Sequence, residues 1–294
     1  MREIHNPLNY NKKPKISVII ITLCRPTLYK LINNLLNQKI DYEYEIILIP
    51  QNSLKKDLLK DKKIKIYPEP LGKGISYYRN IGIKHCKGNI VAFIDDDEIP
   101  INEYWLKNLT QPIIEKKELI TTAGTYIPLN QGYVADSISF LGFPGGGYIG
   151  FKTMWVVDEK DYTVHLCTGN FAINKNILTK LSGFNENLKF GAEDVDLAGK
   201  AVKNKIKIKY IEQATVYHEP RRTLNEFIGW QIRRGKSASE FKGTGNLKNN
   251  HIKKRITSSI KILRKAFFTK YFPMVVFLIS LQYSLSIYFM FIKK

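Results

Sequence analysis

At 294 residues, with 44% apolar content, the chain is long enough to bury a full core, and one domain of about 240 residues is expected ahead of its tail. Its three cysteines, Cys24, Cys86 and Cys167, include no CxxC pair, which excludes a disulfide framework or thiolate zinc site and fits a reducing cytosol. The net charge of +20 is lopsided: Lys242 to Lys294 holds eleven basic residues and no acid, leaving 35 basic and 26 acidic residues in the first 241, so the basicity belongs to a tail.

The opening, MREIHNPLNYNKKPK, has no apolar run and does not read as a signal peptide. Ile16–Thr22 reads as the first strand, and Arg25-Pro26-Thr27 as the turn that starts a helix. Leu28, Leu31, Ile32, Leu35 and Leu36 make its apolar stripe. Strands follow at Glu45–Ile49 and Ile64–Tyr67. GKGISYYRNIG, Gly72 to Gly82, then leads into a helix carrying Arg79 and Asn80.

Ile90–Ile94 is continuously apolar and rich in β-branched residues, as inner strands of a parallel sheet are, and it ends in Asp95-Asp96-Asp97-Glu98. The order strand, helix, strand, strand, helix, strand is a doubly wound α/β opening, whose ligands lie beyond the carboxyl ends of strands. Four carboxylates there repel one another. A hard divalent cation, Mg²⁺ or Mn²⁺, would account for their gathering, and a solvated acidic cap on the next helix is the alternative.

Beyond Pro100, a helix at Trp105–Lys116 and a strand at Leu119–Tyr126 are expected. Gly132–Gly150, with Pro144-Gly145-Gly146-Gly147, reads as a long loop, either a lid or a disordered insertion. Order returns at His165–Ile173, followed by a short helix and a turn at Ser182–Glu186. Glu193-Asp194-Val195-Asp196-Leu197 opens another helix. There Val195, Ala198 and Val202 are expected to pack, leaving Asp194 free to face a cleft, although the helix dipole alone accounts for an acid in a first turn. Strands at Ile206–Ile211 and Ala214–Tyr217 lead to His218, which reads either as a hydrogen-bonded residue or as a metal ligand.

In the tail, Thr244–Asn250 reads as a polar linker. Ile252, Ile256, Ile260, Leu263 and Phe267 then recur at helical spacing among Lys and Arg, marking 243–270 as linker and basic amphipathic helix. Tyr271–Ile292 is 22 residues without a charge, against the ~20 needed to span a bilayer. Because it contains Pro273, Gln282 and three serines, spanning, lying in the interface and packing on a partner all stay open for 271–292. An anionic membrane explains a basic and apolar tail together, so no nucleic-acid partner is expected. The heavier basic flank on its N-terminal side puts the domain on the cytoplasmic face.

Four segments in this order, SVIIITLCRP, YYRNIGIKHCKGNIVAFIDDDE, TGNFAINKNILTKLSGFNE and EDVDL, resemble the family 2 glycosyltransferases, which have the GT-A fold, over about Lys15 to Lys242. The resemblance implies an α/β GT-A domain at 1–242 that moves sugar from a nucleotide-sugar donor with the help of Mn²⁺ or Mg²⁺. Asp95 and Asp97 match the DxD motif, with Asp97 on the metal and Asp95 near the metal or ribose. His218 matches a metal-coordinating position, and Asp194 the general base. Donor contacts are implied for Thr22, Arg79, Asp96, Gly169 and Asn170, and also for Glu193, Gln231 and Arg234. QIRRG, Gln231 to Gly235, resembles the Gln-x-x-Arg-Trp motif of processive members, but Gly235 stands in place of Trp. Gln51 and Asn52 follow the second strand where the family commonly has Asp. One base and one metal site suit single displacement with inversion, and a tail of this kind suits a lipid-linked glycan or surface-polysaccharide acceptor at the cell membrane. The alternative is a non-catalytic, nucleotide-binding membrane subunit of a glycan-assembly complex.

Overall fold

The structure is a computed structural model that describes residues 15–54, 61–142, 145–240 and 245–291. The opening segment, Pro144 and Thr244 lie outside the described residues. The first half follows expectation closely: β1 (Ile16–Thr22), α1 (Pro26–Leu36), β2 (Tyr44–Pro50), β3 (Ile64–Ile66), α2 (Ile75–His85) and β4 (Ile90–Ile94). β5 (Glu98–Pro100), α3 (Trp105–Ile114), β6 (Ile120–Thr122), β7 (Thr125–Tyr126), α4 (Tyr133–Ser139) and α5 (Phe151–Met154) come next. After β8 (Tyr162–Thr163) come β9 (Asn170–Asn174), α6 (Lys175–Lys180), α7 (Glu193–Lys203), β10 (Ile208–Tyr210) and β11 (Val216–His218). Three helices close the described chain: α8 (Leu224–Glu240), α9 (Gly245–Ala266) and α10 (Phe272–Phe291).

The main sheet runs β3-β2-β1-β4-β9-β6-β10-β8. Its β3, β2, β1 and β4 are parallel neighbours, whereas β9 pairs antiparallel with both β4 and β6. Both faces of β1 and β4 are buried, one against α1 and α3 and the other against α2 and α7, which is why these strands carry no polar alternation. A small second sheet, β5-β11-β7, lays β11 antiparallel to β5 and opposes His218 to Glu98. That pairing brings the histidine to the acidic turn from far along the chain.

Four expectations are corrected. Leu119–Tyr126 is two strands, because the chain leaves the main sheet after Thr122 and enters the small sheet at Thr125. The stretch at 132–150 is largely helical and buried, with Ile138, Phe140, Leu141 and Ile149 in a core shared with α10. Its glycines allow close packing: a Cβ on Gly145 would come within 2.9 Å of Thr125 and Cys167. On α7 the packed stripe is Leu197, Ala198 and Ala201, while Val202 is exposed. Residues 245–250, read as a linker, belong to α9.

Ile256, Ile260 and Phe267 of the amphipathic stripe face outward, while Ser258, Ser259, Ile262 and Ala266 are buried. α10 lies along α8, with Phe289 against Gly235. A Cβ at Gly235 would sit 2.5 Å from the Phe289 ring, so the glycine that replaces the motif's tryptophan is what lets these helices approach. Gly235→Trp is expected to lower unfolding free energy by about 1–3 kcal/mol and to make α10 sensitive to limited proteolysis. Unchanged urea unfolding and unchanged cleavage would contradict this account of the contact.

Candidate active site

The turn between β4 and β5 sends its carboxylates in different directions. Asp95 accepts from Arg79 at 2.9 Å. Asp96 accepts from the Thr22 hydroxyl at 2.7 Å, from the Leu23 amide at 3.2 Å and from Arg25 at 3.1 Å. Arg25 also reaches Asp97 Oδ2 at 2.7 Å. Glu98 is fully buried: its Oε2 accepts from the Asp95 amide at 3.3 Å and its Oε1 has no partner. Burial, reinforced by Asp95 and Asp97, pushes the Glu98 pKa well above its ordinary value. Two arginines, Arg79 and Arg25, offset the crowding of the other three carboxylates. Burial pushes Asp96 up to about 6, with Arg25 opposing it.

Arg25 takes Oδ2 of Asp97, and the other oxygen meets a histidine. Asp97 Oδ1 faces His218 Nε2 at 3.7 Å, too long for a hydrogen bond. His218 Nδ1 lies 2.7 Å from the Glu219 carbonyl, which can only accept, so the proton belongs on Nδ1 and Nε2 presents a lone pair to Asp97. Burial lowers the His218 pKa and keeps the ring neutral, although Asp97 opposes this. Two acceptors 3.7 Å apart, one an imidazole oriented by a backbone carbonyl, fit a single divalent cation, with remaining positions for diphosphate and water. Asp95, expected beside them, has its Oδ1 on Arg79. Among the described residues no three His, Cys, Asp or Glu side chains form a metal-holding group.

Arg79 joins the two acidic segments. Its side chain is 1% exposed, and its terminal nitrogens donate to Asp95 at 2.9 Å and to Glu193 at 2.5 Å. Glu193 also accepts from Thr168 at 2.9 Å. Asp194, the next residue, is half-buried beside this network. Burial and the Glu193 charge raise its pKa to about 7, against the pull of Arg79 and Arg234. The chain enters the Glu193 segment through a left-handed turn at Ala192, φ 65°, and makes another at Cys24, φ 64°, after β1.

Several residues expected to touch a donor make structural contacts in the fold. Arg79 has both nitrogens committed to carboxylates. Asn170 is fully buried, donating to the carbonyls of Gly124 and Ala214 and accepting from Trp105 Nε1, so it pins β9 to its neighbours. Glu193 is spent on Arg79 and Thr168, and Thr22 holds Asp96. Gly169 packs so tightly that a Cβ would come 2.7 Å from Glu98. Gln231 is 1% exposed and neither amide atom has a partner, whereas Arg234 reaches Gln282 at 3.2 Å.

Arg25 and Arg221 were absent from the expected set. Both lie close enough to stabilise the Asp97 charge, which ends below the usual range although burial pushes it up. Arg221 is lowered to about 10 by burial and stacks over Trp230 at 4.2 Å. Their signal was position: Arg25 follows β1 and Arg221 follows β11, both at strand ends. Beyond β2 and β3 a cavity of about 640 Å³ is lined by Gln51, Asn52, Ser53, Glu69 and three prolines.

A mixed sheet with carboxylates at a strand end and an acidic helix start joined to them through Arg79 is a GT-A-like α/β fold. The chain belongs to glycosyl transferase family 2, whose profile matches residues 17–181. Asp194, His218 and Gln231 lie beyond that match. The chain is 29% identical over 125 residues to polypeptide N-acetylgalactosaminyltransferase 11 of Xenopus tropicalis, covering 38% of this chain and 20% of that protein. Over 89 residues it is 30% identical to an uncharacterized glycosyltransferase of Haemophilus influenzae, covering 28% of this chain and 35% of that one. The matched part thus spans a fifth to about a third of these relatives' lengths.

Among solved structures, a mannosyltransferase of Pyrobaculum calidifontis in complex with GDP-Man and Mn²⁺ aligns with a TM-score of 0.63 at 13% identity, covering 97% of this chain and 89% of that one. GalNAc-T7 with UDP, GalNAc and Mn²⁺ aligns at 0.55 and 15% identity, over 83% and 55% of the two chains. S. aureus TarS aligns at 0.51 and 17% identity, over 94% and 90%.

Removing Arg79 strands Glu193 without its cation. Arg79→Ala is expected to cost about 3–5 kcal/mol of stability in urea unfolding. A loss under about 1 kcal/mol would show that the triad does not hold the two segments together.

Proposed function

We propose that this protein is an inverting glycosyltransferase that moves a sugar from a nucleotide-sugar donor to a hydroxyl of a membrane-borne acceptor, a lipid-linked glycan or surface polysaccharide. The observation that carries this reading is the Asp97–His218 pair, two acceptors facing each other at 3.7 Å, with Asp194 on the far side of the Arg79 network. Asp97 and His218 would hold the divalent ion, Mn²⁺ or Mg²⁺, which supplies positive charge for a departing diphosphate. The neighbours solved with Mn²⁺ and a nucleotide or nucleotide sugar support that choice.

Arg25 and Arg221 add fixed positive charge beside Asp97 and receive the diphosphate oxygens. The cavity at Gln51, Asn52 and Glu69 takes the nucleobase, and Asp96 is positioned for the ribose. Asp194 removes the acceptor hydroxyl proton as the acceptor oxygen bonds to the anomeric carbon and the sugar–diphosphate bond breaks, with the electron pair leaving on the diphosphate. One base and one metal site suit a single displacement, and hence inversion. The basic, apolar C-terminal helices associate the enzyme with a membrane, with the catalytic domain on the cytoplasmic face where nucleotide sugars are present.

Three results are expected. Asp97→Ala and His218→Ala should each abolish the Mn²⁺-dependent rise in melting temperature that the parent shows, and a shift preserved in both variants removes the metal from this corner. Asp194→Asn should lower kcat for released nucleotide by about 10²–10⁴ while the fold, read by circular dichroism, is intact. Because burial raises the Asp194 pKa to about 7, the carboxyl is protonated and inactive as a base below that pH. The parent's kcat/KM should therefore rise with pH and level off above about 7. A profile flat from pH 5 to 8 would remove Asp194 from the base role.

A further inference from the structure

We propose that α9 and α10 lie flat on an anionic bilayer, with their outward faces in the lipid headgroup region, and that α10 does not cross it. This rests on the membrane-acting reading above and deepens it.

α10 has the length and apolarity of a span. Over that whole length, however, one face is packed on the domain: Tyr271, Val275, Leu278, Gln282 and Phe289 are buried. Three polar contacts tie that face down. The Tyr271 hydroxyl donates to Asp136 at 2.9 Å, Arg234 donates to Gln282 at 3.2 Å, and the hydroxyls of Tyr283 and Ser259 meet at 3.0 Å. A crossing α10 would carry Asp136 and the arginines of α8 into hydrocarbon, or would have to break these contacts and expose Gln282 there.

The outward faces are apolar. Phe268 is 94% exposed and Phe267 56%, with Ile256, Ile260, Phe277 and Ile287 at about half. Around them stand Lys261, Arg264, Lys265 and Lys270, and residues 256–291 contain no acid. Apolar side chains rimmed only by cations match an anionic lipid surface, where burial and Coulomb attraction act together. Arg234 connects this platform to the active site, since it touches α10 and acts on the Asp194 charge. Asp194 is thereby held at a set height over the bilayer, which confines acceptors to hydroxyls near the headgroups.

The test uses full-length protein carrying a C-terminal epitope, added to sealed vesicles of phosphatidylcholine alone or mixed with phosphatidylglycerol. Co-sedimentation only with the anionic vesicles, release by alkaline carbonate and an epitope fully open to external protease are expected. Phe268→Glu, at a side chain that is 94% exposed and meets the exposed Phe267 ring edge-on, should weaken vesicle binding about tenfold or more with an unchanged circular dichroism spectrum. A protease-protected epitope with carbonate resistance overturns the flat orientation and leaves the membrane reading standing. Binding to no vesicle overturns both. A dimer in solution that binds no vesicle and is dissociated by Phe268→Glu assigns the face to a second copy, and wild-type vesicle binding by the variant overturns the assigned face.

Discussion

A single guanidinium holds the candidate site together. Arg79 stands on α2, where almost nothing of it reaches solvent, and its two terminal nitrogens serve carboxylates from distant parts of the chain: Asp95 at the end of β4 and Glu193 at the start of α7. A buried cation needs compensating charge, and each of these carboxylates needs the cation. The mutual requirement locks the two acidic segments to opposite ends of one planar group, so Asp194 cannot drift from the β4 turn. The Phe184 ring, 5.5 Å from the guanidinium carbon, closes the apolar side of the clamp.

The same economy explains the run of four acids. Asp95 meets Arg79, Asp96 meets Thr22 and Arg25, Asp97 meets Arg25 and faces His218, and Glu98 is buried with its pKa pushed up. The Asp97 oxygen that faces His218 is the one Arg25 does not take. The small sheet makes that meeting, because the β5–β11 register sets His218 opposite Glu98, one residue from Asp97. In the proposed mechanism the chemistry falls to Asp97, His218 and Asp194, while Asn170, Glu193 and Thr22 spend their polar atoms on neighbouring residues.

The C-terminal helices belong to this architecture as well. Gly235 lets α10 settle on α8, and the resulting core joins α4, α5, α9 and α10 beneath the second half of the sheet. The segment that reads as a lid in sequence is consumed in this packing, its glycines serving backbone contact more than motion. Arg234 touches α10 and acts on the Asp194 charge, so the C-terminal helices and the site share a wall.

Local pattern alone determined the first half of the fold. The stripe of α1, the unbroken apolar runs of β1, β2 and β4, and the acids at a strand end are set by periodicity and by burial on both faces, which neighbouring residues report faithfully. Position in those motifs also singled out Asp97, Asp194 and His218. Only the tertiary structure decided which polar residues face the cleft and which are buried supports, because Arg79 and Asn170 look the same in sequence whether they meet a ligand or each other's neighbours. It also decided that Val202, Ile256 and Ile260 face outward, that 132–150 is core, and that α10 lies against the domain. Each of these depends on what a distant element offers to pack against, and that partner is written nowhere in the residues nearby.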